Sequence, residues 1–363
     1  MSIDIFCDVI DNFGDAGVCW RLASIFSREL RLPVKLYIND AETLSKITSD
    51  FDPKKLPIIV EGIEIHRWED AETALPSQVV IETFGCRIPF AFEEKIAAAR
   101  PQPVWINLEY LSAESWVEGC HGLPSPHPTL NVNKYYFFPG VTDKTGGLMI
   151  EQDLFVRQRQ FSKGRNKFLE AFSLNPSVFT VFVFCYPSAP LDTFYETLRK
   201  TEKDINLLLP EGAATDILID LHKKNPAHNI HLGISKMVPQ ADFDKFLWAS
   251  DALIIRGEDS FARAQLSGKP FIWNIYSQTE ETHIKKLEAF GERIKPFYGE
   301  SYEAWLNMNL SWSKSPEQLA LCWKNWCCKL PLLEKSSIRW RDHLVSLSSL
   351  ADNLLTFVKS KIN

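Results

Sequence analysis

Short unbroken apolar runs alternate along this chain with longer segments whose apolar residues recur at helical spacing. The runs predict buried strands and the longer segments amphipathic helices. In the first half, strands are predicted at Ile3–Ile10, Val34–Ile38, Ile58–Val60, Ile63–His66, Val79–Glu82, Val104–Leu108 and Tyr135–Phe138. Helices are expected over Val18–Leu30, from a cap at Asp40 towards Ile47, and near Phe90–Ala99, while Glu109–Ser112 and the proline-rich Leu123–Pro128 read as loops. The second half repeats the alternation, with helices at Phe155–Phe172, Leu191–Thr201, Asp216–Lys224 and Phe243–Ala249. Its strands are predicted at Val178–Tyr186, Ile205–Leu209 and Ile230–Leu232. From Thr282 onward the chain reads as helical, ending in an amphipathic helix over Leu344–Lys361. Strands alternating with helices predict an α/β chain with a parallel, doubly wound sheet in each half and a boundary near residue 152.

The stretch Ala252–Tyr276, ALIIRGEDSFARAQLSGKPFIWNIY, breaks the apolar pattern most sharply. Ala252–Ile255 reads as a buried strand and Arg256, Gly257, Glu258, Asp259 and Ser260 as a tight polar turn. Phe261–Leu266 then reads as a helix stopped by Gly268 and Pro270, and Phe271–Ile275 as the next strand. Backbone N–H groups and the positive end of a helix dipole point into such a turn, so it can hold a phosphate. Asp259 and Ser260 also have a plainer reading as helix caps. Arg256, at a strand end beside a helix start, favours an anionic ligand.

The loop Asp11–Gly17, DNFGDAG, is a second polar break directly after the first strand. Asp11 and Asp15 flank Asn12, Phe13 and Gly14, and the glycines Gly14 and Gly17 would let the backbone turn tightly against a ligand. The plainer reading makes Asp15 a helix cap and Asp11 an Asx turn. Neither G-x-G-x-x-G nor a Walker A motif occurs, which weakens dinucleotide and ATP readings. Phe184 and Tyr186 end a strand, where an aromatic can stack on a base or fill a core. Gln240 can hydrogen-bond a base edge or cap a helix, and Asn107, Glu109 and Tyr110 fall at a strand end in the first half. His283 can contact phosphate or serve the structure.

Composition narrows the field. A chain of 363 residues suggests two domains. A net charge of −6 gives no general reason to bind nucleic acid or an acidic membrane. No apolar run approaches the roughly 20 residues that span a bilayer, and the early acids after Met1 argue against a secretory signal. The eight cysteines form no C-x-x-C, have no histidine pair at zinc spacing beside them, and mostly sit in apolar runs. A reduced, cytoplasmic setting is the expectation.

Two doubly wound halves and a terminal helix resemble the GT-B architecture of nucleotide-sugar transferases, two Rossmann-like domains facing across a cleft. Within that frame, DNFGDAGVCWRLA (Asp11–Ala23), INLEYLSAESW (Ile106–Trp116), FFPG (Phe137–Gly140), FCYP (Phe184–Pro187), VPQADFD (Val238–Asp244) and RGEDSFARAQLSGKPFIWNIY (Arg256–Tyr276) occur in one order. In that order they resemble the EarP family, bacterial protein-arginine rhamnosyltransferases that modify translation elongation factor P. The resemblance covers nearly the whole chain and is poorest at Met149–Asp153 and after Lys295.

It implies an inverting enzyme that moves L-rhamnose from dTDP-β-L-rhamnose to the guanidinium of one arginine in elongation factor P. No metal, membrane or direct nucleic-acid partner is implied. Residues 1–152, joined by the terminal helix 344–361, would bind the acceptor, and residues 153–343 the nucleotide sugar. Asp15 corresponds to the proton acceptor, with Asp11 and Glu258 as further catalytic acids serving as base, clamp or support. Asn12, Phe13, Gly14, Phe184, Tyr186, Gln240, Arg256, Gly257, Asp259, Ser260 and Phe261 would hold the donor, and Asn107, Glu109 and Tyr110 the acceptor.

The implied chemistry is physically coherent. An arginine stays protonated up to a pKa above about 12 and is a poor nucleophile. A carboxylate can clamp the guanidinium and orient one nitrogen at the anomeric carbon. As the C–N bond forms, that nitrogen becomes acidic enough for an ordinary aspartate to take its proton. Arg256 and the N–H groups of Ser260 and Phe261 would meet the charge on the departing diphosphate. Two other readings fit the same fold: a GT-B transferase with a different acceptor, and a non-catalytic nucleotide-binding regulator.

Overall fold

The structure, a computed structural model, describes residues 1–10, 13–48 and 51–362, so Asp11 and Asn12 lie outside the described residues. The chain divides into two compact units, Met1–Gln152 with Leu344–Asn363, and Asp153–His343. In the first unit β1 (Ile3–Cys7), α1 (Phe13–Ser24), β2 (Val34–Ile38), α2 (Ala41–Ile47), β3 (Ile58–Val60) and β4 (Ile63–Arg67) come first. They are followed by β5 (Val79–Thr83), α3 (Phe90–Ala98), β6 (Val104–Leu108), α4 (Trp116–Cys120), β7 (Pro124–Pro126) and β8 (Asn133–Phe137).

These strands form an eight-stranded sheet in the order β3-β4-β2-β1-β5-β6-β8-β7, with β3 and β7 antiparallel at the edges. Every residue of β1, β5 and β6 is buried, as strands covered on both faces require. Ile3 and Ile5 of β1 point into one core with Leu22 and Phe26, while Phe6 joins Tyr37, Phe92 and Trp105 in the other. From β1 the chain builds outward through β2, then resumes on the opposite side at β5. The ends of β1 and β5 therefore mark a topological switch point, where open α/β sheets bind ligands.

The second unit opens with α5 (Leu154–Ser162) and α6 (Arg165–Glu170), then β9 (Phe179–Phe184), α7 (Leu191–Arg199), β10 (Ile205–Pro210) and α8 (Ala213–Lys224). It continues through β11 (Ile230–Ser235), α9 (Gln240–Ala249), β12 (Ala252–Ile255), α10 (Glu258–Ser267) and β13 (Phe271–Trp273). Helices α11 (Thr282–Tyr298), α12 (Tyr302–Ser313), α13 (Leu319–Cys328) and α14 (Leu330–Ser346) follow, and α15 (Leu350–Ile362) ends the chain. The sheet is parallel throughout, in the order β11-β10-β9-β12-β13. Its switch point lies between β9 and β12, with Phe184 in register beside Ile255. Leu350, Ala351, Leu354 and Val358 of α15 belong to the first unit's core. Among the described residues no helix is long and apolar enough to cross a membrane.

Several boundaries differ from the expectations, each for a local reason. α1 starts at Phe13 and not Val18, so Gly14 and Gly17 are helical and turn nothing. Burial of Asp15 to Ala23 outweighs the cost of about 1 kcal/mol for a glycine inside a helix. α10 starts at Glu258, because Gly257 at φ 75° and ψ 172° makes the turn and caps the helix. Glu258, Asp259 and Ser260 are thus its first turn. The proline-rich segment contains β7, which proline tolerates because the strand pairs on one side only. The terminal helix begins at Leu350, after Ser348 turns the chain at φ 69°, and Leu344 belongs to α14.

Candidate active site

At the first unit's switch point, Asp15 lies in the first turn of α1, where an acid complements the helix dipole. It is 2% exposed. Its Oδ2 accepts the Ile10 amide at 2.9 Å, so the chain leaving β1 holds the carboxylate through its backbone. The Tyr110 hydroxyl donates towards Oδ1 at 3.5 Å.

Beyond β5, Phe84 and Gly85 both adopt positive φ, 58° and 67°. The Phe84 amide donates to the Leu108 carbonyl at 2.7 Å and the Gly85 amide to Asn107 Oδ1 at 3.1 Å, which pins this turn to the end of β6. Asn107 Nδ2 donates to Glu109 Oε1 at 2.7 Å. Tyr110 stacks on Phe84 with ring centroids 4.1 Å apart and planes 10° apart.

The structure thus gathers Asp15, Asn107, Glu109 and Tyr110 at one end of one sheet. Asn107 is buried with both ends of its amide bound to the scaffold, so it orients Glu109 and does not itself face a ligand. Phe13 packs against the core, and Gly14 is helical and does not make the tight turn expected of it. The nearby thiols are unsuited to nucleophilic work. A hydrogen bond that the Cys7 thiol donates to Cys19, and then burial, raise Cys7 far above the ordinary thiol value, and burial likewise raises Cys86.

At the second switch point, Arg256 directly follows β12. Its guanidinium carbon lies 4.6 Å from the Phe184 ring centroid and 4.8 Å from that of Tyr186. The Arg256 Nε has no hydrogen-bond partner among the described residues. Two aromatic faces fix the plane of the cation while a guanidinium keeps its in-plane donors for an anion. Gly257 contributes no side-chain cap, so the first turn of α10 presents its amides to the same region. Gln240 Nε2 donates to Asp259 Oδ2 at 3.0 Å, tying the starts of α9 and α10 together.

Two side chains here serve the scaffold. Phe261 is 3% exposed and stacks on Trp273 at 3.7 Å, so its ring fills the core, whereas the expectation for this residue concerned its backbone N–H. His283 is buried, and its Nδ1 accepts the Gln278 amide at 3.3 Å, a loop-holding role.

Three residues that the sequence reading passed over belong to this region. Asn274, just past β13, accepts the Tyr186 amide at 2.7 Å. Tyr276 packs edge-on to Tyr186 at 5.3 Å while 67% exposed, and Phe243 of α9 packs edge-on to Phe184 at 5.6 Å. The strand order, which puts β13 beside β12, is the signal that would have found Asn274 and Tyr276.

Comparison with known proteins agrees with this layout. Residues 3–359 match the family described as elongation-factor P (EF-P) rhamnosyltransferase EarP. A protein-arginine rhamnosyltransferase from Shewanella oneidensis is 36% identical over 388 aligned residues, covering 98% of this chain and 97% of the relative. A solved structure concerned with EarP-mediated arginine glycosylation of translation elongation factor EF-P superposes with a TM-score of 0.65 at 24% identity, covering 99% of both chains. Acinetobacter baumannii MurG superposes with a TM-score of 0.55 at 11% identity, covering 99% of this chain and 100% of that one. These two likenesses are to the fold, which is GT-B.

Proposed function

Because this chain belongs to the EarP family of elongation-factor P rhamnosyltransferases, we propose that it moves L-rhamnose from dTDP-β-L-rhamnose to the guanidinium of one arginine in elongation factor P. The observation that carries the donor half of this reading is Arg256, flanked by Phe184 and Tyr186 beside a glycine-capped helix start. An aromatic wall suits a nucleobase, and a cation with oriented amides suits a diphosphate. Arg256 and the α10 amides then stabilise the charge that develops on the departing dTDP, the part a metal plays in other transferases. We propose no metal for that step.

Asp15 accepts the proton. The Ile10 amide holds its carboxylate in one orientation before the acceptor arrives, and preorganisation of this kind supplies much of a positional advantage. The acceptor nitrogen attacks the anomeric carbon as the bond to the diphosphate oxygen breaks. The diphosphate leaves with the electron pair and the nitrogen's proton passes to Asp15. A single displacement inverts the sugar. Glu109, held by Asn107, supplies a further carboxylate for the guanidinium, and Glu258, in the first turn of α10, takes its catalytic role from the family resemblance. Asp11 takes its place as a second acid from the family resemblance. Elongation factor P and the nucleotide sugar both meet the enzyme in the cytoplasm.

Mixing the purified protein with dTDP-β-L-rhamnose and elongation factor P tests this directly. Intact mass should show one deoxyhexose added to the acceptor, on an arginine located by fragmentation. An unmodified acceptor under conditions where dTDP binds would reject the transferase reading. A short peptide carrying the arginine should react far more slowly than the folded acceptor, since one arginine offers little specificity.

A further inference from the structure

Tyr110 is half exposed at the acceptor side of the first unit, yet its ring and its hydroxyl are both held. We propose that Tyr110 is a positioning residue: its hydroxyl sets the orientation of the Asp15 carboxylate, and the Phe84 turn exists to hold the tyrosine there. This rests on the reading of Asp15 as the proton acceptor.

The backbone supplies the first argument. A non-glycine residue at positive φ costs on the order of 1–3 kcal/mol and persists only where its surroundings over-determine it. Phe84, at φ 58°, is such a residue, and hydrogen bonds from its own amide and that of Gly85 lock the turn onto the end of β6. The strained conformation has one visible result. The Phe84 ring packs on the first core and also stacks flat against Tyr110.

The carboxylate supplies the second argument. Its two oxygens are addressed separately, Oδ2 by the Ile10 amide and Oδ1 by the Tyr110 hydroxyl. At 3.5 Å the hydroxyl is near the outer limit of a hydrogen bond, and from there the tyrosine limits rotation of the carboxylate plane as a guanidinium arrives. Tyr110 thereby acts on the chemical step through Asp15 and not by grasping the acceptor.

Steady-state kinetics on the full-length protein, with elongation factor P and dTDP-β-L-rhamnose, separate these roles. Tyr110→Phe keeps the ring and its stack and removes only the hydroxyl. The expected result is a fall in kcat of about tenfold, the size of one hydrogen bond to a charged group, with acceptor KM, dTDP affinity and Tm unchanged. Phe84→Leu should lower kcat similarly, and adding Tyr110→Phe to it should lower kcat no further. A kcat for Tyr110→Phe equal to wild type, or a change confined to KM or Tm, overturns the proposal even if Phe84→Leu fails to fold. Asp15→Asn is the control: if it is inactive while Tyr110→Phe is unaffected, this proposal alone fails. If Asp15→Asn turns over normally, the reading of Asp15 fails with it.

Discussion

At the end of β1 the molecule buries a carboxylate against its own backbone, whereas at the end of β12 it leaves a guanidinium against two aromatic rings with one nitrogen unpartnered. Both groups sit at switch points of doubly wound sheets, beside the first turn of a helix. The scaffold is therefore shared and the handling of charge is opposite. The first arrangement fixes direction, which suits a group that must meet a proton along one line. The second fixes a plane and leaves the in-plane donors available, which suits a group that must gain and release an anion in every cycle. The expected division is that the first switch point governs the chemical step and the second governs donor binding.

The sharpest way to break this division is Asp15→Asn. Its single-turnover transfer rate should fall by about 10²–10⁴-fold, the usual range for losing a positioned proton acceptor, and quench-flow with intact mass would measure it. Next in size, Arg256→Ala should raise the KM for dTDP-β-L-rhamnose by roughly 10- to 100-fold, the equivalent of one or two charge-assisted hydrogen bonds. Arg256→Lys should restore little, because an ammonium offers neither the fork nor the flat stack. Gly257→Ala probes the cap. Forcing a side chain onto φ 75° and ψ 172° should lower stability by about 1–3 kcal/mol in chemical denaturation and weaken donor binding as the α10 turn shifts.

The expected effect with the least bearing on turnover concerns the support beneath the first switch point. Glu82 lies in β5 next to Thr83, accepts from Trp105 Nε1 at 3.1 Å and pairs with Lys134. Burial pushes its carboxyl from 4.5 up to about 7, and Lys134 only partly opposes that rise. In that window the folded state holds a proton that the unfolded state has lost, so this group's contribution to stability falls as pH rises from 4.5 to about 7 and is level above it. Glu82→Gln should flatten that part of the stability profile, measured by denaturation across the same pH range. An unchanged slope would contradict the assignment.

Much of this arrangement was legible in the residues, and the misses share a cause. Ala252–Ile255 and Val104–Leu108 were bounded correctly because runs buried on both faces have an unmistakable pattern. The polar groups at Asp15 and Arg256 stood out because they interrupt such runs at their ends. The helix starts were misplaced because Gly14, Gly17 and Gly257 look alike in sequence. Two of them are carried inside a helix whose burial overrides glycine's local preference, while the third makes the turn. The stack of Tyr110 on Phe84 and the pairing of Asn274 with Tyr186 depend on strand order, which no local window contains.

Titration of dTDP into Asp15→Asn beside wild type, followed by calorimetry, tests the division of labour most directly. The account predicts equal affinity in the two proteins while the variant's transfer rate falls by about 10²–10⁴-fold. An affinity in Asp15→Asn weakened as far as that of Arg256→Ala would contradict it.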